Sequence, residues 1–291
     1  MQSMAAAIHD HQHLYRHVLL RNPDLAYWDS AALGGLNSNI KESVDAINDT
    51  SIAMTLQRWL TAAGMCCLFG VGTATAAPID NALVAYNNGD YTQAIKILRP
   101  LAVQGNAIAQ FSLAWMYDHG QGITQDYPAA VQWYRQAAAQ GNAGAQFNLG
   151  WMYGHGQGVT RDYPAALQWY RLAAAQGSAD AQFNLGWMYE RGQGVTQDYQ
   201  EALQWYRLAA AQGLAVAQNH LGVRYASGQG VVRDYPAAVK WFRLAAAQRD
   251  AGAQFQLGWM YDNGQGVVQD YAEAVQWYHL AAAQGFGPAK T

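Results

Sequence analysis

Cysteine is scarce in this sequence, and so are charged side chains. The 291-residue chain contains two cysteines, Cys66 and Cys67, and they are adjacent. A disulfide framework needs cysteines at several places along the chain, so residues 68–291 contain neither a disulfide scaffold nor a cysteine nucleophile. Charged residues make up 13% of the chain, the formal net charge is −3, and no block of like charge occurs. These values argue against a nucleic-acid-binding surface and against a polybasic membrane patch.

The two cysteines lie inside a stretch that has the order of a signal peptide. Arg58 comes first, an apolar segment runs from Leu60 to Val71, and small residues follow at Ala74-Thr75-Ala76. The apolar segment is too short for a transmembrane helix. A basic end, a short apolar centre and small residues before the cleavage point predict export and cleavage after Ala76. The mature chain is then periplasmic or secreted, without membrane insertion.

The position of this stretch raises a second question, because a signal peptide is expected at the start of a chain. Translation from Met54 would place it there, with residues 54–76 as the signal peptide and residues 1–53 as an upstream over-extension. In the alternative, residues 1–53 are genuine, the apolar stretch forms a buried helix, and the protein is cytoplasmic. The first interpretation is preferred.

The stretch AQFNLGWMYGHGQGV, which begins at Ala145, is present in five versions. Near-copies begin at Ala109, Ala181 and Ala253 and a more divergent copy begins at Ala217, all spaced by 36 residues. Self-similarity at a fixed spacing in this range is typical of solenoids and other repeat architectures. The repeat therefore overrides any domain count based on chain length.

Each copy predicts two helices joined by a glycine-rich turn. Asn142 is placed to cap the first helix, on which Ala145, Leu149 and Tyr153 share one face. Gly150 interrupts this helix at a cost of roughly 1 kcal/mol relative to alanine, which makes sense where another helix approaches closely. The glycines expected to have this structural role are Gly150, Gly186, Gly222 and Gly258.

The second helix begins after an aspartate that can accept early backbone N–H groups. Asp198 with Glu201 and Asp270 with Glu273 complete the capping-box pattern. The capping aspartates of the five copies are Asp126, Asp162, Asp198, Asp234 and Asp270. A helix pair of this kind cannot cover its own apolar faces, so stacking of neighbouring pairs into an all-α solenoid is predicted. Residues 77–106 form a degenerate first pair, with a tight turn at Asn88-Gly89-Asp90.

The pattern A-x-x-x-L-G-x-x-Y-x-x-G-x-G-V, followed by D-Y-x-x-A-x-x-W-Y-x-x-A-A-x-Q-G, resembles the Sel-one-like repeat (SLR), a relative of the tetratricopeptide repeat. The resemblance covers residues 107–286 as five units of 36 residues; residues 77–106 are closer to a tetratricopeptide unit, and residues 287–291 form a tail. It implies a right-handed α/α superhelical solenoid of about six helix-turn-helix repeats, whose first helices line a concave protein-binding surface. Members commonly act as scaffolds or adaptors, and bacterial ones are often exported.

A partner is expected on the concave face of the first helices. An aromatic pair recurs there in four copies, and the sets are Phe111 and Trp115, Phe147 and Trp151, Phe183 and Trp187, and Phe255 and Trp259. The rings either form an exposed ladder that grips a peptide or fill gaps between adjacent first helices. The ends of the same helices differ between copies and would set specificity, namely Asp118, Gly154, Glu190, Ala226 and Asp262, followed by His119, His155, Arg191, Ser227 and Asn263.

The fourth copy departs from the others. Asn219 replaces phenylalanine, Val223 replaces tryptophan, Arg224 replaces methionine and Arg249 replaces the terminal glycine. Asn219 and Arg224 are therefore candidates for a polar binding position, with a flexible joint and simple drift as the alternatives.

A binding module is preferred over an enzyme. An enzyme needs a nucleophile, base or metal held in a pocket, and the histidines of the repeats are scattered over different copies. His119 and His155 occupy equivalent positions, so a weak metal site is conceivable, but solvated turn residues are the preferred interpretation. No cofactor, metal or nucleic acid is expected. The alternative, an envelope enzyme or a β-lactam- or peptidoglycan-interacting protein, would follow cysteine-rich relatives whose paired cysteines this chain lacks.

The C-terminal end lacks the polar outer face that usually caps a solenoid. The last second helix keeps Tyr271, Val275 and Trp277, as internal copies do. Self-association through this end is one expectation. The competing expectation is that Phe286 and Pro288 fold back and shield it.

Overall fold

A computed structural model of the chain describes residues 76–286, and within this range every regular element is an α-helix. Residues 1–53, the predicted signal peptide up to Thr75, both cysteines and the tail 287–291 lie outside the described residues. The structure therefore does not test the predictions made for those segments.

Twelve helices are present in residues 76–286, arranged as six antiparallel pairs. They are α1 (Ala76–Asn87), α2 (Tyr91–Val103), α3 (Ala107–His119), α4 (Tyr127–Ala139), α5 (Ala143–His155), α6 (Tyr163–Ala175), α7 (Ala179–Arg191), α8 (Tyr199–Ala211), α9 (Ala215–Ser227), α10 (Tyr235–Ala247), α11 (Ala251–Asn263) and α12 (Tyr271–Ala283). Each helix packs against its neighbours in sequence, which is the nearest-neighbour arrangement of an α-solenoid. The pairs α3–α4 to α11–α12 are called repeats 1 to 5 below.

Short polar side chains fix where the helices begin. The Asn142 side chain accepts a hydrogen bond from the Ala145 N–H at the start of α5, and the Asp162 carboxylate accepts one from the Ala165 N–H at the start of α6. All five predicted aspartates cap their helices in this way. Repeat 4 differs, because Leu214 stands at the cap of α9 and makes no side-chain cap hydrogen bond.

The reciprocal half of the predicted capping box is wrong. Asp198 accepts from the early N–H groups of α8, but its own N–H donates to the Tyr189 carbonyl at 2.9 Å. The Glu201 carboxylate accepts instead from the Trp205 indole N–H at 3.0 Å. Glu273 accepts from Trp277 in the same way. The glutamates therefore accept from half-buried tryptophans of their own helices, because the cap N–H groups already have partners.

The glycine turn joins one repeat to the preceding one. Gly156 ends α5 with φ +70°, and Gly158 also has φ +70°. A Cβ atom on Gly158 would lie 2.6 Å from the backbone of Tyr127, at the start of the second helix of repeat 1. Positive φ and a close backbone approach both favour glycine at this point. The turn is therefore part of the packing between repeats.

The core continues from one repeat to the next. One cluster of buried side chains contains Tyr134, Leu149, Met152, Tyr170 and Leu185, which come from three successive repeats. Within the described residues, the core is shared between neighbouring repeats and no single repeat has a separate core, as expected for a solenoid.

The glycine within the first helix is packed mainly against an aromatic ring; the expected helix backbone also approaches in repeat 3, where a Cβ atom on Gly186 would lie 3.1 Å from the Ala202 carbonyl oxygen. A Cβ atom on Gly150 would lie 2.6 Å from the Tyr170 ring of the same repeat. Gly186 faces Tyr206 in the same manner at 2.7 Å. The ring of the second helix thus lies directly over the first helix, and a side chain at the glycine position would displace it.

Within residues 76–286, no helix has both the length and the apolar character needed to cross a bilayer.

Candidate functional site

The recurring aromatic pairs are largely buried in the middle of the array. Phe147 and Trp151 are 6% and 7% exposed, and Phe183 and Trp187 are 5% and 9% exposed. The Phe147 ring contacts the Tyr170 ring with their centroids 5.8 Å apart. These values favour the gap-filling interpretation over an exposed ladder for repeats 2 and 3.

The rings are more accessible towards the two ends of the array. Phe111, Trp115 and Phe255 are half-buried, and Trp259 is 38% exposed. Trp115 lies beside the first helix pair, and its indole N–H donates to the Tyr86 hydroxyl at 3.1 Å. The rings therefore do not form a continuous exposed aromatic surface along repeats 1 to 5.

The variable residues at the ends of the first helices lie on the tryptophans. The His155 ring is stacked on Trp151 with centroids 4.2 Å apart, and its Nδ1 lies 2.8 Å from the Trp151 carbonyl oxygen. His119 makes the same two contacts with Trp115. Arg191 places its guanidinium 4.3 Å from the centre of the Trp187 ring. Each of these polar side chains is positioned by its own helix, one turn after the tryptophan.

A cleft of about 440 Å³ opens between α5, α6 and α7, at the junction of repeats 2 and 3. It combines aromatic walls with polar side chains at its rim, which is the mixture that ligand-binding clefts usually show. The lining residues are Trp151, Gly154, His155, Gly156, Gln157, Arg161, Tyr163, Ala166, Tyr170, Asn184, Trp187, Met188 and Gln193.

The cleft contains four of the residues predicted from the sequence, namely Trp151, Gly154, His155 and Trp187. Arg161 and Tyr170 were not predicted as site residues. Arg161 precedes the second helix and is exposed, and Tyr170 is a 3% exposed residue of α6. They were not predicted because the predicted binding face consists of the first helices, and both residues lie outside those helices.

The divergent fourth repeat makes specific polar contacts with its neighbours. The Arg224 guanidinium lies 3.4 Å from the Glu190 carboxylate of repeat 3 and also donates to the Gln229 side chain. Asn219 donates to the Asp250 carboxylate at 3.1 Å, at the start of repeat 5. Asn219 and Arg224 are thus held within the array, and Arg224 is 7% exposed. Because both replaced side chains have polar partners in a neighbouring repeat, a polar joint between repeats explains these replacements better than drift does.

His220 belongs to the same joint. Its ring contacts the rings of Phe183, Trp187 and Tyr206, with centroid distances of 5.1, 5.5 and 5.3 Å. Desolvation lowers the pKa of His220 to about 3, and the positive charges of Arg224 and Arg191 act in the same direction. The imidazole is therefore neutral at physiological pH and serves as an aromatic packing element.

Metal chemistry finds no support in the described part of the chain, where no group of three or more histidine, cysteine, aspartate or glutamate side chains converges. His119 and His155 each contact their own tryptophan. The groups that line the cleft are aromatic rings, a guanidinium, an imidazole and side-chain amides.

The comparisons with known proteins agree with this architecture. The model of the Sel1 repeat matches residues 107–142, 143–178, 179–214, 215–250 and 251–286. Among proteins with curated descriptions, none matches the chain.

Two solved structures show the same fold at substantial sequence identity. One is c5321, a protective antigen of uropathogenic Escherichia coli strains that displays an SLR fold; it is 40% identical with a TM-score of 0.69 over 72% of this chain. The match covers 46% of that protein, so this chain spans about half of its length. The other is a Sel1 repeat protein from Oxalobacter formigenes, 36% identical with a TM-score of 0.69, covering 72% of this chain and 84% of that one.

Proposed function

The chain belongs to the Sel1 repeat family, and from that premise we propose that it is a non-enzymatic scaffold that binds a peptide or protein partner on the face formed by its first helices. Solenoids of this family typically serve as protein-interaction scaffolds. The observation that carries the proposal is the cleft at the junction of repeats 2 and 3, where tryptophans and the variable helix ends meet. Its walls resemble the centres of protein interfaces, in which tryptophan, tyrosine and arginine dominate binding.

The neighbouring structures support this assignment at the level of the fold. The related c5321 is described as a protective antigen, which concerns that protein and fits an exported member of the family. For this chain, export with cleavage after Ala76 is part of the proposal, with the envelope or the exterior of a bacterial cell as its location. Mass spectrometry of the mature N-terminus tests it, since a protein that retains residues 1–53 contradicts both the start at Met54 and the export.

Photo-crosslinking tests the binding proposal directly. A photoreactive residue at Gln193, which lines the cleft, should capture a discrete partner in the producing cell. The matched control carries the same residue at Gln168, which is exposed on α6 and absent from the cleft lining. A partner captured equally from both positions, or from neither, contradicts binding at this cleft.

A second proposal concerns the C-terminal end. Val275 on α12 is 51% exposed, whereas the equivalent Val239 on α10 is 3% exposed because the following repeat covers it. Leu83 and Val84 are exposed at the other end of the array. We infer that a second copy of the chain covers the α12 end.

A further inference from the structure

The large ring of each second helix has a defined neighbour sixteen residues earlier in the chain. In three repeats this pair is a tyrosine with an acid, in one it is a phenylalanine with an alanine, and repeat 2 alone joins a tyrosine to a glycine. The pairs are Tyr134 with Asp118, Tyr170 with Gly154, Tyr206 with Glu190, Phe242 with Ala226, and Tyr278 with Asp262. Where a hydroxyl is present a carboxylate accompanies it, except in repeat 2.

Repeat 3 shows what the carboxylate does. The Tyr206 hydroxyl donates a hydrogen bond of 2.8 Å to the Glu190 carboxylate. Burial raises the pKa of Tyr206 well above its ordinary value, with a further contribution from the Glu190 charge, so the hydroxyl remains a donor. The other oxygen of Glu190 lies 3.4 Å from Arg224. A buried hydroxyl, a carboxylate and a guanidinium therefore form one connected group.

Repeat 2 has the donor without the acceptor. A Cβ atom on Gly154 would find only the Ala166 Cβ within 4 Å, at 3.7 Å, so the place of the Glu190 side chain is open there. Tyr170 is 3% exposed and lines the cleft, and no hydrogen bond to its hydroxyl is formed within residues 76–286. Burial raises the pKa of Tyr170, which keeps this hydroxyl protonated. The Tyr170 side chain lines the cleft, so a ligand in the cleft can supply the acceptor that repeat 3 takes from Glu190.

Charge around the cleft favours an anion. The exposed Arg161 lies in the lining with its guanidinium over the Tyr163 ring, and the Arg191 guanidinium lies over Trp187. One acid, Asp180, acts on Tyr170 and raises the pKa of its hydroxyl. The lining of the cleft thus contains one guanidinium group, that of Arg161, and no acidic side chain.

We propose that the cleft at the junction of repeats 2 and 3 binds a glutamate side chain of the partner, whose carboxylate takes the place that Glu190 occupies in repeat 3. The carboxylate accepts a hydrogen bond from Tyr170 and pairs with Arg161, while Trp151 and Trp187 contact the aliphatic stem. A glutamate is specified because the acid hydrogen-bonded to the tyrosine hydroxyl in the adjacent repeat 3 is Glu190, whereas repeats 1 and 5 carry an aspartate at that position. This inference rests on the proposed scaffold function and names the chemistry of its partner.

Short blocked peptides test the inference on the full chain. The probes are an acetylated and amidated tripeptide with a central glutamate, its glutamine counterpart, and an acetylated trialanine with a free C-terminal carboxylate. Binding is followed by nuclear magnetic resonance of the indole N–H groups of Trp151 and Trp187, which line the cleft. The glutamate peptide should shift these signals saturably, and the other two peptides should not.

Variants of the chain provide matched controls. Gly154→Glu places a carboxylate where Glu190 lies in repeat 3, so it should fold and abolish the response to the glutamate peptide. Gly154→Ala copies Ala226 of repeat 4, leaves the cleft open and should retain the response. Tyr170→Phe copies Phe242 and should weaken binding about tenfold or more, because a hydrogen bond to a charged acceptor is lost.

Equal responses to glutamate and glutamine overturn the proposal, as does an unchanged response in Gly154→Glu. A response to the free C-terminal carboxylate alone also overturns it, because the ligand would then be a chain terminus. These failures leave the scaffold function untouched, since a partner that crosslinks at Gln193 and not at Gln168 still supports it. If no partner crosslinks selectively at Gln193, binding at this cleft is contradicted, whatever the peptides show.

Discussion

Gln176, at the end of α6, donates a hydrogen bond of 2.7 Å from its side chain to the side-chain oxygen of Gln146 on α5. Gln146 in turn donates to the Ala138 carbonyl of the preceding repeat at 3.2 Å. The equivalent glutamine pairs are Gln140 with Gln110, Gln212 with Gln182, Gln248 with Gln218, and Gln284 with Gln254. In repeats 1 to 4 the glutamine of the first helix also donates to a carbonyl of the preceding helix pair, so a buried amide ties these four first helices both to their own repeat and to the pair before.

Replacing Gln146 by alanine should lower the free energy of unfolding by about 1–3 kcal/mol, because the Ala138 carbonyl loses its partner in a buried place and the exposed Gln176 amide loses its acceptor. Chemical denaturation followed by circular dichroism measures this. The control is Gln168→Ala on the exposed side of α6, which should change stability by less than about 0.5 kcal/mol. Equal effects of the two replacements would show that the glutamine ladder does not couple the repeats.

Much of the architecture could be predicted because it is written locally. Asn142 and Asp162 cap their helices through backbone N–H groups three residues away, and the 36-residue spacing implies stacking. The role of Gln146 could not be predicted in this way, because its partners come from two other helices. The cleft could not be predicted for a similar reason. It depends on the absence of a side chain at Gly154 beside Tyr170, and this absence is recognised only when equivalent residue pairs of the repeats are compared.

Gly150→Val should destabilise the array by about 1–3 kcal/mol, because the branched side chain must displace the Tyr170 ring. Gly150→Ala is the matched variant. Ala114 occupies the same position in repeat 1 and is fully buried there, so one methyl group can be accommodated, and alanine gains about 1 kcal/mol in helix propensity. Thermal unfolding of both variants decides the point; a valine variant as stable as the alanine variant would contradict the close contact with the ring.

Arg249→Gly should stabilise the chain by about 1 kcal/mol. Arg249 has φ +66°, and it alone among the non-glycine residues from 76 to 286 has a positive φ. A side chain in this conformation costs about 1–3 kcal/mol, partly offset by the greater freedom of glycine in the unfolded state. The reciprocal variant is Gly213→Arg, at φ +91° with no atom within 4 Å of an added Cβ, and it should cost a similar amount. Unchanged midpoints of denaturation in both variants would refute the strain.

Stability should fall as the pH drops below 6.5, in part through His220. The pKa of this residue is lowered from 6.5 to about 3 in the folded chain, so its contribution is fully present above pH 6.5 and is lost progressively towards pH 3. Protonation would place a third positive charge beside Arg191 and Arg224, with Glu190 as the nearest compensating acid. His220→Asn, which copies Asn184 of repeat 3, should show a shallower decline between pH 6.5 and 4. Identical slopes in denaturation midpoint against pH would contradict the buried neutral imidazole.

The last prediction concerns the α12 end, where Phe286 contacts Phe255 with centroids 5.5 Å apart and so covers part of the face of α11. It leaves Tyr271 and Val275 on α12 exposed by 63% and 51%. If a second copy covers these residues, light scattering should show self-association of the chain at micromolar concentration, and Val275→Lys should make it monomeric.

The control for that experiment is Leu280→Lys. Leu280 is 49% exposed, but so is its counterpart Leu244 at 50%, because this position faces outward in every such repeat and is not uncovered by the end of the array. A charge there should therefore leave the association intact, whereas a charge at Val275 enters a surface that is 2–6% exposed wherever another repeat follows. If the unchanged chain is strictly monomeric, no second copy covers the α12 end. The contact between Phe286 and Phe255 then shields this end sufficiently, since monomers tolerate apolar patches of a few hundred Å².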